Sequence, residues 1–316
     1  MNKIFQTYIL GCSAATPTSD RHTTAQVLNY HNKYFLLDCA EGTQMQMRRM
    51  KLPMMKINHI FISHLHGDHY LGLPGLLFSY HLLGRTKELN IYTPPGLQEI
   101  IEVQFKISEL TTAYPIRFHL ITEGGQLLFH DKNITVESIE MMHRLPTFGF
   151  LFKEKRVLRN MRKDALDHYN IPIDQISGIK SGKDLVRDNG EIVPNHKITK
   201  DPPAPRSYAF CSDTGYTEQY LGQIKNVDLL YHEATFLHDK VDIARQKTHC
   251  TSIEAATIAK KAGVKQLMLG HYSARYDDMK LFEKEARTVF PDTILAKEGM
   301  CVEIGNNHNR NLFLKE

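Results

Sequence analysis

Three histidines and one aspartate fall within the six residues His64–His69, in the stretch Ser63-His-Leu-His-Gly-Asp-His69. They directly follow Ile57–Ile62, a run with the composition of a β-strand. Side chains on a tight loop after a strand can converge, and neutral imidazoles with a carboxylate suit Zn²⁺ or a similar divalent ion. The spacing therefore indicates a metal-binding loop, although a chain with 17 histidines can also produce such a cluster by chance.

Four residues on one short loop cannot complete two metal sites, so further ligands must come from elsewhere in the chain. Three candidates follow predicted strands: His143 after Ile134–Met141, Asp213 after Tyr208–Cys211, and His271 after Gln266–Leu269. Taken singly, a lone histidine is more often structural, and an aspartate before a glycine turn is often a cap. The repeated arrangement, an apolar strand that delivers a polar residue at its C-terminal end, favours the ligand interpretation.

With these residues in this order, the chain resembles the metallo-β-lactamase superfamily, whose signature is His-x-His-x-Asp-His followed by a distant His, Asp and His. The resemblance spans the whole chain and implies an α/β fold, a four-layer αβ/βα sandwich with two Zn²⁺ ions at one edge. The ligands that it implies are His64, His66 and His143 for the first zinc, Asp68, His69 and His271 for the second, and Asp213 as the bridge between them.

Four further segments are similar to motifs of one branch of this superfamily, the ribonuclease Z family. They are Leu10–Pro17 with Arg21, His232–Phe236, His249–Thr251 and His271–Tyr276. Taken alone, His232-Glu233 and His249 would be read as surface residues, but their order relative to the metal ligands favours a functional role. The chain departs from the family at Cys12, where Thr is usual, and at Cys250 within the His-x-Thr motif.

The resemblance implies an endoribonuclease that removes the 3′ trailer from precursor tRNA by hydrolysing a phosphodiester bond, leaving a 3′-hydroxyl tRNA. In this assignment Asp68 accepts the proton of the attacking water. His249 protonates the leaving 3′-oxygen, and Glu233 orients His249. A homodimer is also implied. Contacts to substrate phosphate are assigned to Ser13, Thr16 and Arg275.

Residues 153–206 differ from the rest of the chain. Between Leu151 and Lys200 there are 11 Lys and Arg against 7 Asp and Glu, while the remainder carries 28 of each sign. A helical pattern at Arg156–Asn170 is followed by a turn-rich, charged stretch with few core residues. We interpret the segment as an arm inserted into a single domain that spans residues 1–316.

Local positive charge suits a phosphate-rich partner, but it is also found on ordinary solvated surfaces. Ribonuclease Z proteins carry a flexible arm, an exosite that grips tRNA, between the His143 region and Asp213. The position of this insertion therefore predicts a tRNA exosite. Its sequence at Asn170–Gly178 has a single proline and lacks the Gly/Pro-rich tip of the family.

Over the whole chain, the pattern of apolar residues predicts eleven short strands, from Ile4–Leu10 to Thr293–Ala296, with helices between them. One predicted helix, Ser252–Ala262, is preceded by a capping-box pattern at Thr251–Glu254 and followed by Gly263. The five cysteines are scattered, which predicts free thiols. No apolar run approaches the roughly 18 residues of a membrane span, and we expect a cytoplasmic protein without a membrane partner.

Three other functions remain open. A hydrolase of small esters or thioesters would use the same metals, but would need neither a basic arm nor the His249–Glu233 pair. A related phosphodiesterase with a nucleotide substrate would share the whole metal site. A non-catalytic nucleic-acid-binding protein with a structural zinc is disfavoured, because structural zinc sites are mostly rich in cysteine.

Overall fold

The structure, a computed structural model, describes residues 4–305 and the strand Leu312–Phe313. In chain order its strands are β1 (Phe5–Gly11), β2 (Ser13–Ala14), β3 (Ala25–Tyr30), β4 (Lys33–Leu37), β5 (Ile57–Phe61), β6 (Leu89–Thr93), β7 (Ile116–Leu120), β8 (Leu127–His130), β9 (Ile134–Met141), β10 (Thr147–Glu154), β11 (Asn160–Met161), β12 (Leu185–Val186), β13 (Ile192–Val193), β14 (Thr199–Lys200), β15 (Ser207–Cys211), β16 (Leu229–Glu233), β17 (Leu267–Gly270), β18 (Tyr272–Ser273), β19 (Thr293–Leu295), β20 (Met300–Glu303) and β21 (Leu312–Phe313).

The helices lie between these strands in both halves of the chain. They are α1 (Thr43–Arg49), α2 (Gly67–Tyr70), α3 (Gly72–Leu82), α4 (Leu97–Ile107), α5 (Lys163–Tyr169), α6 (Ile173–Lys180), α7 (Asn195–Ile198), α8 (Val241–Lys247), α9 (Ser252–Ala262) and α10 (Lys280–Arg287), with 3₁₀ turns at Met54–Lys56 and His238–Lys240. Helix α9 has the predicted capping box, in which Thr251 and Glu254 bond reciprocally, and it ends at Gly263 in the left-handed region.

Two mixed sheets form the framework. The first has the strand order β21-β20-β1-β3-β4-β5-β6-β7, and the second has the order β19-β17-β16-β15-β10-β9-β8. Strands β4 to β7 are parallel, as are β15, β16, β17 and β19. Because the C-terminal ends of parallel strands share one sheet edge, the loops after β5, β15, β16 and β17 are placed where a site can form.

The two sheets face each other across an aromatic core. The ring of Phe61 on β5 lies 5.3 Å from that of Phe150 and 5.7 Å from that of Phe152, both on β10. Aromatic pairs at such spacing stabilise a fold beyond the area that they bury. This packing brings strand ends from both sheets to a common region.

Strand β3 was not predicted, because Gln26 and Asn29 interrupt its apolar pattern. Both side chains are buried, and each uses its side-chain oxygen as a hydrogen-bond acceptor. The Gln26 side-chain oxygen accepts from Thr7 Oγ1 at 3.1 Å and from the Tyr208 hydroxyl. Buried hydrogen-bond partners therefore replace the apolar residues that a strand pattern requires.

The described residues divide into two compact units. The first contains residues 4–130, Thr135–Phe152 and the described residues that follow Pro205. The second contains Asp131–Ile134 and Lys153–Pro205. The segment has few core residues, as expected, but they pack together into a small core of its own, formed by Ala165, Ile171, Ile179, Leu185, Val193 and Ile198.

The helix expected over Arg156–Asn170 is partly wrong. Only Lys163–Tyr169 is helical, and Asn160–Met161 instead pairs with Thr199–Lys200. A pairing with a strand about forty residues away overrides the local helical pattern. Propensity is a weak determinant of structure when tertiary partners are available.

The five cysteines all lie in the described part of the chain and are free, buried thiols, as expected. Among the residues that the structure describes, no helix has both the length and the apolar character that crossing a bilayer requires.

Candidate active site

The predicted ligands converge because each follows a strand of the framework. The loop His64–His69 begins after β5, with its last residues in the short helix α2. Asp213 follows β15, and His271 follows β17 in the left-handed conformation, with φ of 59°. His143 follows β9. All seven predicted ligands are thereby brought into two adjoining groups.

The first group consists of His64, His66, His143 and Asp213, whose ligand atoms lie within 4.8 Å of one another. His64 Nε2 lies 2.9 Å from His66 Nδ1, which lies 3.3 Å from His143 Nε2. Burial, with the neighbouring His69, holds the pKa of His64 well below its usual value, which keeps that imidazole neutral. Neutral imidazoles are the form that binds a metal.

The second group consists of Asp68, His69 and His271, also within 4.8 Å of one another. Asp68 Oδ2 lies 3.5 Å from Nε2 of each histidine. Asp213 stands between the groups, since its Oδ2 is 3.6 Å from His64 Nε2 while its Oδ1 is 3.1 Å from His271 Nε2. Its two oxygens thus face different groups, as a bridging ligand requires.

Three buried atoms in this centre test whether it fits metal ions. His69 Nε2, His271 Nε2 and Asp213 Oδ1 are inaccessible to solvent and have no hydrogen-bond partner. Buried polar atoms are rarely left unsatisfied, so these atoms require an explanation. A divalent cation satisfies histidine nitrogens and carboxylate oxygens together. The residues present therefore fit a metal cofactor.

Asp38, which follows β4, was missed by the sequence analysis. This fully buried carboxylate accepts hydrogen bonds from the Ser63 backbone N–H at 2.7 Å and the Ser63 hydroxyl at 2.9 Å. His69 Nδ1–H also donates to it, at 2.7 Å. With Nδ1 held in this way, Nε2 of His69 is directed to the centre. The signal that could have found Asp38 was again a polar residue at the C-terminal end of an apolar strand.

Glu233, the last residue of β16, is a second buried carboxylate behind the centre. Its Oε1 accepts from His249 Nδ1–H at 2.9 Å, and its Oε2 accepts from the Thr235 hydroxyl at 2.8 Å. Thr235 Oγ1 in turn lies 2.9 Å from His271 Nδ1 and accepts from it. One carboxylate therefore fixes the orientation of both His249 and His271.

His249 is a strongly basic histidine beside the two groups. Its burial opposes a positive charge, but the Glu233 carboxylate overcomes this effect and raises the pKa of His249 to about 9. The ring is therefore protonated at neutral pH, with Nε2–H available because Nδ1 bonds Glu233. A ligand atom of His249 also lies within 4.8 Å of those of Asp213 and His271, which places it next to the centre.

A cavity of about 600 Å³ opens over these residues. Thr16 and Arg275, predicted as phosphate contacts, line it, and Arg275 is exposed. Ser13, the third predicted contact, is fully buried, and its hydroxyl donates to the Thr16 carbonyl at 3.0 Å, which fixes the loop that carries Thr16. Its assignment to substrate phosphate stays a prediction.

Known proteins named ribonuclease Z are similar to this chain over nearly its full length. The chain is 45 % identical to ribonuclease Z of Bacteroides thetaiotaomicron over 303 residues, 96 % of each protein. It is 41 % identical to ribonuclease Z of Porphyromonas gingivalis over 301 residues, 95 % of this chain and 99 % of the relative. A family model described as anti-Pycsar protein Apyc1 matches residues 5–160.

Solved structures show the same fold. Human tRNase Z, short form, superposes with a TM-score of 0.68 at 26 % identity, covering 95 % of this chain and 100 % of the human one. The metallo-β-lactamase fold protein YhfI from Bacillus subtilis gives a TM-score of 0.69 at 19 % identity, covering 96 % of this chain and 100 % of YhfI. The predicted metallo-β-lactamase sandwich is thus confirmed, and the chain belongs to the ribonuclease Z family.

Proposed function

We propose that this protein is a metal-dependent endoribonuclease that removes the 3′ trailer from precursor tRNA, leaving a 3′-hydroxyl on the tRNA. Two observations support this function. The chain is similar to ribonuclease Z proteins over nearly its full length. It also gathers two adjoining groups of histidine and aspartate around one bridging carboxylate, the arrangement that two-metal hydrolysis of a phosphodiester requires.

We assign two Zn²⁺ ions to the centre. His64, His66 and His143 would hold the first, and Asp68, His69 and His271 would hold the second, with Asp213 shared between them. When bound, the ions would supply Lewis acidity, which activates a water and offsets the negative charge that builds on the phosphate oxygens. The all-His/Asp donor set suits zinc in a catalytic site.

Asp68 is assigned as the group that receives the proton of the attacking water. Its Oδ2 is fixed by a hydrogen bond from the Ala15 backbone N–H at 2.7 Å and faces His69 and His271. This contact holds the carboxylate in one orientation. Asp68 also lines the cavity, where a substrate phosphate would lie.

His249 is assigned as the proton donor to the leaving 3′-oxygen. It lines the same cavity, and its pKa of about 9 keeps it protonated at neutral pH. Glu233 would act through His249, since it is fully buried and cannot touch substrate. Thr16 and Arg275 are assigned as contacts to substrate phosphate.

The arm, residues 153–206, is assigned as the tRNA exosite. It has its own small core, so it can present side chains from an ordered surface. Exposed lysines on it include Lys163, Lys183 and Lys197. Phosphate contacts of this kind recognise the shape of a folded RNA without reading its sequence.

Replacing Asp38 with asparagine should weaken zinc binding by about 10–100-fold, because an amide cannot accept hydrogen bonds at both of its positions and His69 loses its fixed orientation. Competition with a chromophoric chelator measures this affinity. Asp292→Asn, an exposed change just before β19, is the matched control and should bind zinc normally. Unchanged zinc affinity in the folded Asp38→Asn protein would contradict the role of Asp38.

Purified protein supplied with Zn²⁺ should cut a 3′-extended pre-tRNA just after the discriminator base. Asp68→Ala should abolish the cut, because it removes both a ligand and the proton acceptor. Gel analysis of the RNA products measures both the position of the cut and its loss in the Asp68→Ala variant. If pre-tRNA stays intact while a small phosphodiester or ester is hydrolysed, the tRNA assignment fails and the small-molecule hydrolase takes its place.

Deleting residues 155–200 should impair pre-tRNA cleavage far more than hydrolysis of bis(p-nitrophenyl) phosphate, which is too small to reach an exosite. Steady-state kinetics on both substrates test this. A triple variant, Lys163→Met with Lys183→Met and Lys197→Met, keeps the arm core and should raise KM for pre-tRNA alone. Equal losses on both substrates would argue against an exosite.

A homodimer is proposed by analogy with the family, and exposed apolar side chains on two helices are compatible with it. Leu82 on α3 is 81 % exposed and Ile107 on α4 is 78 % exposed. Sedimentation should therefore show a species of twice 36.4 kDa. A monomer across the micromolar range would rule out the dimer.

A further inference from the structure

Two cations on the cavity wall have no part in the proposed chemistry. Arg144 directly follows His143, and Lys247 is the last residue of α8. Both side chains are exposed, and both residues line the cavity. Neither forms an ion pair with any carboxylate of the described residues, whereas exposed cations elsewhere, such as Lys261 with Glu218, do. Unpaired cations at a cavity are available to an anionic ligand.

The fold brings these two cations to the same wall. Thr248, in the left-handed region with φ of 59°, ends α8, and its carbonyl accepts from His143 Nδ1–H at 2.9 Å. Arg144 and Lys247 are therefore the immediate chain neighbours of a hydrogen-bonded pair. The Gly215 backbone N–H also donates to the Met142 carbonyl at 2.8 Å, which ties the loop after Asp213 to the same wall. Arg144 and Lys247 are thus held beside the first metal group.

The carboxylates near this wall are already committed elsewhere. Those that line the cavity are Asp68 and Asp213, and both belong to the metal groups. Arg275 lies elsewhere on the lining, with its guanidinium 5.8 Å from the centre of the Phe236 ring. With the ions bound, the Arg144–Lys247 wall would be positive and without a counter-charge from the described part of the protein.

We propose that Arg144 and Lys247 form a second anion subsite, which binds a backbone phosphate next to the scissile one. This inference rests on the proposed function and deepens it. A polynucleotide presents such a phosphate, whereas a small phosphodiester presents only the one that reacts. The subsite would therefore favour RNA over small phosphodiesters through binding, and it has no part in bond cleavage.

The test uses the full-length zinc protein, with Arg144→Met, Lys247→Met and the double variant. Lys225→Met is the matched control, because Lys225 is exposed and precedes the N-terminal end of β16, at the sheet edge away from the centre. Each single variant should raise KM for pre-tRNA by about tenfold or more, since a hydrogen bond to a charged group is removed. Its kcat, its zinc content and its turnover of bis(p-nitrophenyl) phosphate should stay within about twofold of the wild type, since neither cation binds metal or touches the reacting bond.

Two further measurements separate this subsite from general electrostatics. The slope of log affinity for pre-tRNA against log salt should fall by about 0.7 for each single-strand phosphate that a variant no longer neutralises. A substrate with one neutral methylphosphonate beside the scissile phosphate should bind the wild type more weakly, but should bind the double variant nearly as well as unmodified RNA does. The methylphosphonate is placed in turn on each side of the scissile phosphate. If it weakens binding to the double variant as much as binding to the wild type at both positions, the effects are additive and the subsite is overturned.

The wild type reports separately on the proposed function. If it leaves pre-tRNA intact, that function fails. If it cleaves pre-tRNA and the Arg144 and Lys247 variants match Lys225→Met, or are impaired equally on both substrates, the subsite fails while the function stands.

Discussion

The whole arrangement depends on holding unsatisfied polar atoms together in a place that solvent does not reach. His69 Nε2, His271 Nε2 and Asp213 Oδ1 are buried without hydrogen bonds. A buried polar atom left fully unpaired costs about 1–3 kcal/mol, which is a sizeable share of the stability of a folded protein. The packed sheets must offset that cost in the absence of a ligand. Bound cations would remove it, which ties stability to metal.

Two buried carboxylates brace the centre from opposite sheets. Asp38 follows β4 of the first sheet and holds His69, and it reaches His64 through Ser63, whose hydroxyl lies 3.1 Å from His64 Nδ1. Glu233 ends β16 of the second sheet and holds His249 and, through Thr235, His271. Each of these histidines has one nitrogen committed to the protein, so the other is fixed before any ligand arrives.

The sequence was sufficient to predict the ligand groups because they combine rare residue types with a repeated position at strand ends. The same rule also fits Asp38, but one aspartate after an apolar run is too common to be distinguished without its partners. Strand β3 was hidden because the side-chain oxygen of Gln26 accepts hydrogen bonds from residues distant in sequence. The helix boundary at Lys163 depends on the pairing of β11 with β14. Contacts of this kind are properties of the tertiary structure and leave no local pattern.

The sheet topology also determines when the site can exist during folding. The loop His64–His69 belongs to the first sheet, whereas His271 lies about two hundred residues later, in the second. Contacts between such distant segments form slowly, because the intervening chain must be ordered first. A chain that has folded only its first sheet offers an incomplete and weaker set of ligands. The two ligand groups are therefore completed only when the sheets dock, and bound metal would in turn stabilise the docked state.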